Sequence, residues 1–166
     1  MRSFYPNYEF NNLITPIISN KEYQKTKEIE HHGVNRYDHM LRVSYYSYKI
    51  TKLCHLDYKS ATRAALLHDF FLEDYNDKKA KILVNHPKIA LENSLKYFEL
   101  NDLEKDIIKT HMFPIGKNVP HYLESWIVNI VDDFSCFYER GYVLKESMSV
   151  ACSMMFLLFL VFVKRW

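Results

Sequence analysis

The apolar positions of this chain recur mostly at helical spacing. From Arg36 to about Cys54, the residues His39, Val43, Tyr46, Ile50 and Leu53 follow one another at steps of four, three, four and three. That spacing predicts a helix with this stripe facing inward. Upstream, Phe10, Leu13, Ile14, Ile17 and Ile18 mark a helical face within residues 7–19. Lys21 to Glu30 is a charged, helix-forming stretch that His31-His32-Gly33 interrupts. Residues 57–72 predict the next helix, with Ala61, Ala64, Ala65 and His68 on one face, small enough for another helix to come close. A loop is expected over 70–77 and a short helix over 78–84. His86-Pro87 then opens a helix to about Phe98, with Pro87 in its first turn.

Asn101-Asp102-Leu103-Glu104 has the pattern of a capping box. Leu103, Ile107 and His111 follow at steps of four and share a face of that helix. Pro114, Gly116 and Pro120 break the chain into a loop over 112–120, and a long apolar helix is expected over 122–140. It contains Asp132-Asp133 among Ile127, Val128, Ile130, Val131 and Phe134, and acids so placed are costly to bury unless a cation neutralises them. The helical wheel does not choose between the two.

Composition agrees with helices. Only 3 Gly and 5 Pro leave little material for tight hairpins, while 48% apolar and 16% aromatic residues argue against disorder. At 166 residues the chain suits one domain with a real core. A net charge of +2 gives no electrostatic case for nucleic acid. Cys54, Cys136 and Cys152 are odd in number and lack CxxC spacing, which points to inert thiols in a reducing, cytoplasmic setting. MRSFYPNYEF lacks the order of a signal peptide.

Residues 147–163 differ from the rest. They carry no charge, and at 17 residues they stand at the lower limit of a membrane span. A buried helix, an interfacial anchor and a short span compete; a span would place Lys164 and Arg165 on the side that basic residues avoid. The expectation is a domain over 1–146 that folds without residues 147–166, an apolar C-terminal helix, and self-association or membrane contact through 147–163.

The candidate chemistry begins at Leu66-Leu67-His68-Asp69, where a nitrogen ligand stands beside a carboxylate able to bridge two cations. Alone, such a pair is as readily a helix cap, and a lone inward histidine such as His39 is as readily a satisfied core residue. The order His39, His68-Asp69, His86, His111, Asp132 is more specific. Over residues 31–140 it resembles the HD superfamily of metal-dependent phosphohydrolases. The resemblance rests on Arg36-Tyr37-Asp38-His39, Leu66-Leu67-His68-Asp69 and Asn129-Ile130-Val131-Asp132, with His31-His32-Gly33 upstream. His86-Pro87 and His111-Met112 look like the two further histidines of the dinuclear branch. The family's last aspartate follows a short apolar run, which selects Asp132 over Asp133.

The resemblance implies an all-α, compact multi-helix bundle. It also implies a division of ligands: His39, His68, Asp69 and Asp132 for one divalent cation, Asp69, His86 and His111 for a second, with Asp69 bridging. His68 and Asp69 are thereby the catalytic pair. Mixed nitrogen and oxygen ligands suit iron, manganese, cobalt or zinc without choosing among them. The substrate class implied is a small, nucleotide-like phosphate, cleaved by a water that the cations activate. Arg36, one helical turn before His39, is a candidate to fork onto the phosphate, or else forms an ordinary salt bridge. Lys117 is a second candidate, or else simply solvated. His55 and His121 fit no ligand pattern. Two other readings are a di-iron oxygenase of the same fold and a non-catalytic nucleotide- or metal-sensing module.

Overall fold

The computed structural model describes residues 7–31, 34–72 and 79–141. The fold is all-α apart from one minimal ribbon. Helix α1 (Tyr8–Ile18) starts where the Asn7 side chain accepts from the Phe10 amide, and it buries Phe10, Ile14 and Ile17. The charged stretch after it divides into α2 (Lys21–Gln24) and a 3-10 turn (Lys25–Glu28). Two-residue strands β1 (Glu30–His31) and β2 (Val34–Asn35) pair antiparallel, and the Arg36 amide donates to Ile29 O at 2.8 Å. That ribbon leads directly into α3 (Arg36–Leu53), capped by Asn35.

Helix α3 corrects the expected stripe. His39 and Val43 are buried, but Tyr46, Ile50 and Leu53 are 49%, 40% and 79% exposed. The buried face instead carries Met40, Ser44, Ser47, Tyr48 and Thr51. Small hydroxyl residues can line a close helix contact when their hydroxyls are satisfied locally. Ser44 donates to Thr62 O at 2.8 Å and Thr51 to Ser47 O at 2.7 Å. Across the contact, α4 (Tyr58–Leu67) presents the fully buried Ala61, Ala64 and Ala65. Hydropathy therefore misplaced the face, because here close approach favours small side chains over apolar ones.

Helix α4 ends at Leu67, earlier than the expected residue 72, and His68 is its C-cap. Helix α5 (Lys79–Tyr97) runs unbroken where two helices were expected, with Pro87 in its interior. An interior proline costs about 3 kcal/mol, and burial of His86, Pro87 and Ala90 offsets that cost here. Helix α6 (Asp102–Thr110) has the expected capping box, with both reciprocal bonds formed between Asn101 and Glu104. A loop then leads to α7 (residues 123–141). Asp106 ties this loop down, accepting from the His121 amide at 3.0 Å and from Ser125 Oγ at 2.7 Å.

One core joins these elements: Phe10, Ile14 and Ile17 of α1, Tyr37, Met40 and Val43 of α3, Leu66 and Leu67 of α4, Phe70 and Phe71 beyond it, Ile107 and Ile108 of α6, and Val128 and Val131 of α7. The Tyr23 hydroxyl donates to Leu66 O at 2.9 Å and so fixes the end of α4. None of the described helices is long and apolar enough to cross a membrane. The apolar segment 147–163, with the contacts expected of it, lies outside the described residues.

Candidate metal centre

Five helices bring their polar residues to one buried point. His39 comes from the first turn of α3, His86 from the middle of α5 and Asp132 from the middle of α7. His68 and His111 arrive by one device used twice: each is the C-cap of its helix. Each ring donates Nδ1–H to the carbonyl three residues back, His68 to Ala65 O at 2.7 Å and His111 to Ile108 O at 2.9 Å. With Nδ1 so engaged, Nε2 is the nitrogen that each ring offers to the centre.

Asp69 divides its carboxylate between two groups. Its Oδ1 lies 3.2 Å from His86 Nε2 and 3.5 Å from His111 Nε2, while Oδ2 lies 3.9 Å from His68 Nε2. On the other side, Asp132 Oδ1 is 3.0 Å from His39 Nε2 and 3.5 Å from His68 Nε2. Ligand-capable atoms converge within 4.8 Å in several sets, among them His39-His68-Asp69, His68-His111-Asp132 and Asp69-His86-His111. All six side chains proposed as ligands from sequence are buried and gathered here, whereas Asp133 is exposed.

A cation fits this donor set. His86 Nε2 and His111 Nε2 face each other at 2.9 Å, an arrangement in which two ring nitrogens compete for one proton. His68 Nε2 and His86 Nδ1 are buried without a hydrogen-bond partner, a costly state for polar atoms unless something else engages them. Charge tells the same story. Burial opposes a charged His39, yet Asp132 and Glu139 on its two sides outweigh that and raise its pKa to about 10. Burial also opposes ionisation of Asp132, but His68 and His39 hold its carboxyl well below the usual range. Burial dominates at His86, whose pKa falls to about 4 despite Asp69.

These values fix the sign of a pH effect. At pH 6–8 the metal-free His39 ring holds a proton that an incoming cation must displace. Apparent affinity for Mn²⁺ is therefore expected to rise by up to about tenfold per pH unit over that range. Chelator competition at several pH values measures it, and a flat profile would show that no proton on His39 is displaced.

The structure adds residues to which the sequence reading gave no role at the centre. Glu139 contacts His39 Nδ1 through both oxygens, at 3.1 and 3.0 Å, and pairs with Arg42. It lies seven residues after Asp132, two helical turns along the same face, which is the signal that could have found it. Asn129 Nδ2 donates to the His111 and Phe113 carbonyls, holding the chain after His111 against α7. Cys136 Sγ stands 3.8 Å from Asp132 Oδ1, and burial together with that carboxylate raises the thiol's pKa, which keeps it protonated.

The two phosphate candidates are placed differently. Arg36 is fully buried, with its guanidinium 3.6 Å above the Phe71 ring and Nη1 donating to Phe71 O at 2.5 Å. The same ring stacks on His86 with centroids 5.3 Å apart. Lys117 is exposed in the loop between α6 and α7. His121 and His55 do not join the centre: His121 bonds Asp106, and His55 is an exposed left-handed residue just past α3.

Residues 36–136 match the family model of the HD domain. No curated protein and no solved structure matches the chain.

Proposed function

The chain belongs to the HD-domain family, a superfamily of metal-dependent hydrolases that bind divalent cations, and from that premise we propose a phosphohydrolase. It cleaves a phosphoester or phosphoanhydride bond in a small, nucleotide-like molecule. One observation carries this reading: Asp69 turns one oxygen toward His86 and His111 and the other toward His68. Such a carboxylate is suited to sit between two cations, held by His39, His68, Asp69 and Asp132 on one side and by Asp69, His86 and His111 on the other. Iron, manganese, cobalt or zinc, bound there, supplies Lewis acidity and a water that deprotonates near neutral pH.

The chain's own part is to prepare the site. The carboxylates of Asp69 and Asp132 would offset the charge of the cations, and the Nδ1 bonds of His68 and His111 fix which nitrogen each ring offers. Phe71 holds His86 against an apolar wall. Lys117, exposed in the loop after His111, is the second candidate for the substrate phosphate. Arg36 reaches a phosphate only if its stack on Phe71 opens; where it stands, it supports the ring that His86 leans on.

The test is phosphate release across a panel of nucleotides, run anaerobically with Mn²⁺. Release without oxygen supports hydrolysis. Oxygen uptake with bound iron and no phosphate release would overturn it in favour of oxygen-activating chemistry.

A further inference from the structure

We propose that Glu139 is a positioning residue which, held by Arg42, sets the orientation and donor strength of His39 and makes the two halves of the centre unequal. The inference rests on the metal-centre reading above and extends it to a residue outside the ligand set.

The geometry is specific. A single imidazole is clasped by two carboxylates from one helix: Asp132 Oδ1 on Nε2 at 3.0 Å and Glu139 on Nδ1 at 3.0 Å. Their separation of seven residues along α7 places both on the face turned to α3. Arg42, one turn after His39 on α3, bonds Glu139 Oε1. The Glu139 side chain is 1% exposed, and a carboxylate so buried is costly unless its partners compensate it. Here the partners are a ring N–H and a guanidinium. With Nδ1–H committed to Glu139, the His39 ring can turn only Nε2 toward the centre.

The contrast with the other rings carries the inference further. Among the described residues, His68 and His111 give their Nδ1–H to backbone carbonyls, and His86 Nδ1 has no hydrogen-bond partner. Of these rings, and among the described residues, only His39 has a carboxylate on its Nδ1. A carboxylate makes the imidazole it accepts from a stronger donor than a neutral carbonyl does, and loss of such a partner costs about 10- to 100-fold in metal affinity. The half of the centre built on His39 is therefore the tighter one, and the half built on His86 and His111 fills second.

Glu139→Gln keeps the shape and removes the charge. Mn²⁺ stoichiometry and stepwise affinities of the full chain, measured by chelator competition at fixed pH, are the readout. The wild type is expected to bind two cations with unequal affinity. The variant should lose about 10- to 100-fold at the tighter step only. Unchanged affinities in a folded variant would overturn the proposal, as would an equal loss at both steps. If Glu139→Gln does not fold, Arg42→Gln removes the counter-charge at a partly exposed position. It should weaken the same step by a smaller factor, and no change there would equally overturn the proposal. A wild-type chain that binds no cation fails the underlying metal reading instead, and the two failures are thus distinct.

Discussion

Asp69→Asn is expected to lower metal-dependent phosphate release by about a thousandfold while leaving the chain folded. Asparagine preserves the volume of the buried side chain and deletes the charge that faces His68 on one side and His86 and His111 on the other. Lewis-acid stabilisation of a phosphoryl transition state is worth several kcal/mol, and about 4 kcal/mol corresponds to roughly three powers of ten in rate. Asp133→Asn is the matched control, since that carboxylate is exposed on the outer side of α7 and should leave turnover unchanged. Initial rates for the two variants under saturating Mn²⁺ decide the matter. Near-wild-type turnover in Asp69→Asn would sink the bridging assignment, and a collapse in Asp133→Asn would mean that α7 presents the other carboxylate to the site.

The largest effect on stability is expected from Phe71→Ala. The ring is fully buried, carries the Arg36 guanidinium at 3.6 Å and stacks on His86. Truncating a buried phenylalanine costs about 3–5 kcal/mol. The Arg36 charge would also lose the ring that covers it, which places the outcome toward the upper end. For a domain of this size the melting temperature should fall by roughly 10 °C. Denaturant and thermal unfolding measure this directly, and a loss below about 1 kcal/mol would show that the Arg36-Phe71-His86 stack contributes little.

What sequence could reveal depended on the kind of signal involved. His68-Asp69 was legible as a polar pair at the end of an apolar helical run, whereas the helical wheel left Asp132 and Asp133 equal and the family resemblance chose Asp132. The capping box at Asn101–Glu104 was legible because it is local chemistry between neighbours. The buried face of α3 was not, since Ser44 and Thr51 look polar until their carbonyl partners are in place. Continuity of α5 through Pro87 was hidden for a similar reason: local backbone cost argued for a break, and tertiary burial outweighed it. Glu139 escaped notice because its role depends on a partner a hundred residues away. The placement of Arg36 also needed three dimensions, because a charge at a helix start reads as exposed unless Phe71 is known to cover it.

The segment from Leu66 to Phe71 sends consecutive residues to different neighbours. Leu66 fixes Tyr23 through its carbonyl, His68 and Asp69 face the centre, Phe70 meets Tyr23, Tyr97 and Phe98, and Phe71 lies between Arg36 and His86. Each of these directions depends on α4 ending at Leu67. Adding or removing one residue here would turn everything beyond it by about 100° about the helix axis, trading ligands for core residues in a single step. Point substitutions can be absorbed one neighbour at a time; a change of length in this stretch cannot. Across descendants of this chain, length should be held constant from Leu66 to Phe71 and drift freely at the exposed turn near His55.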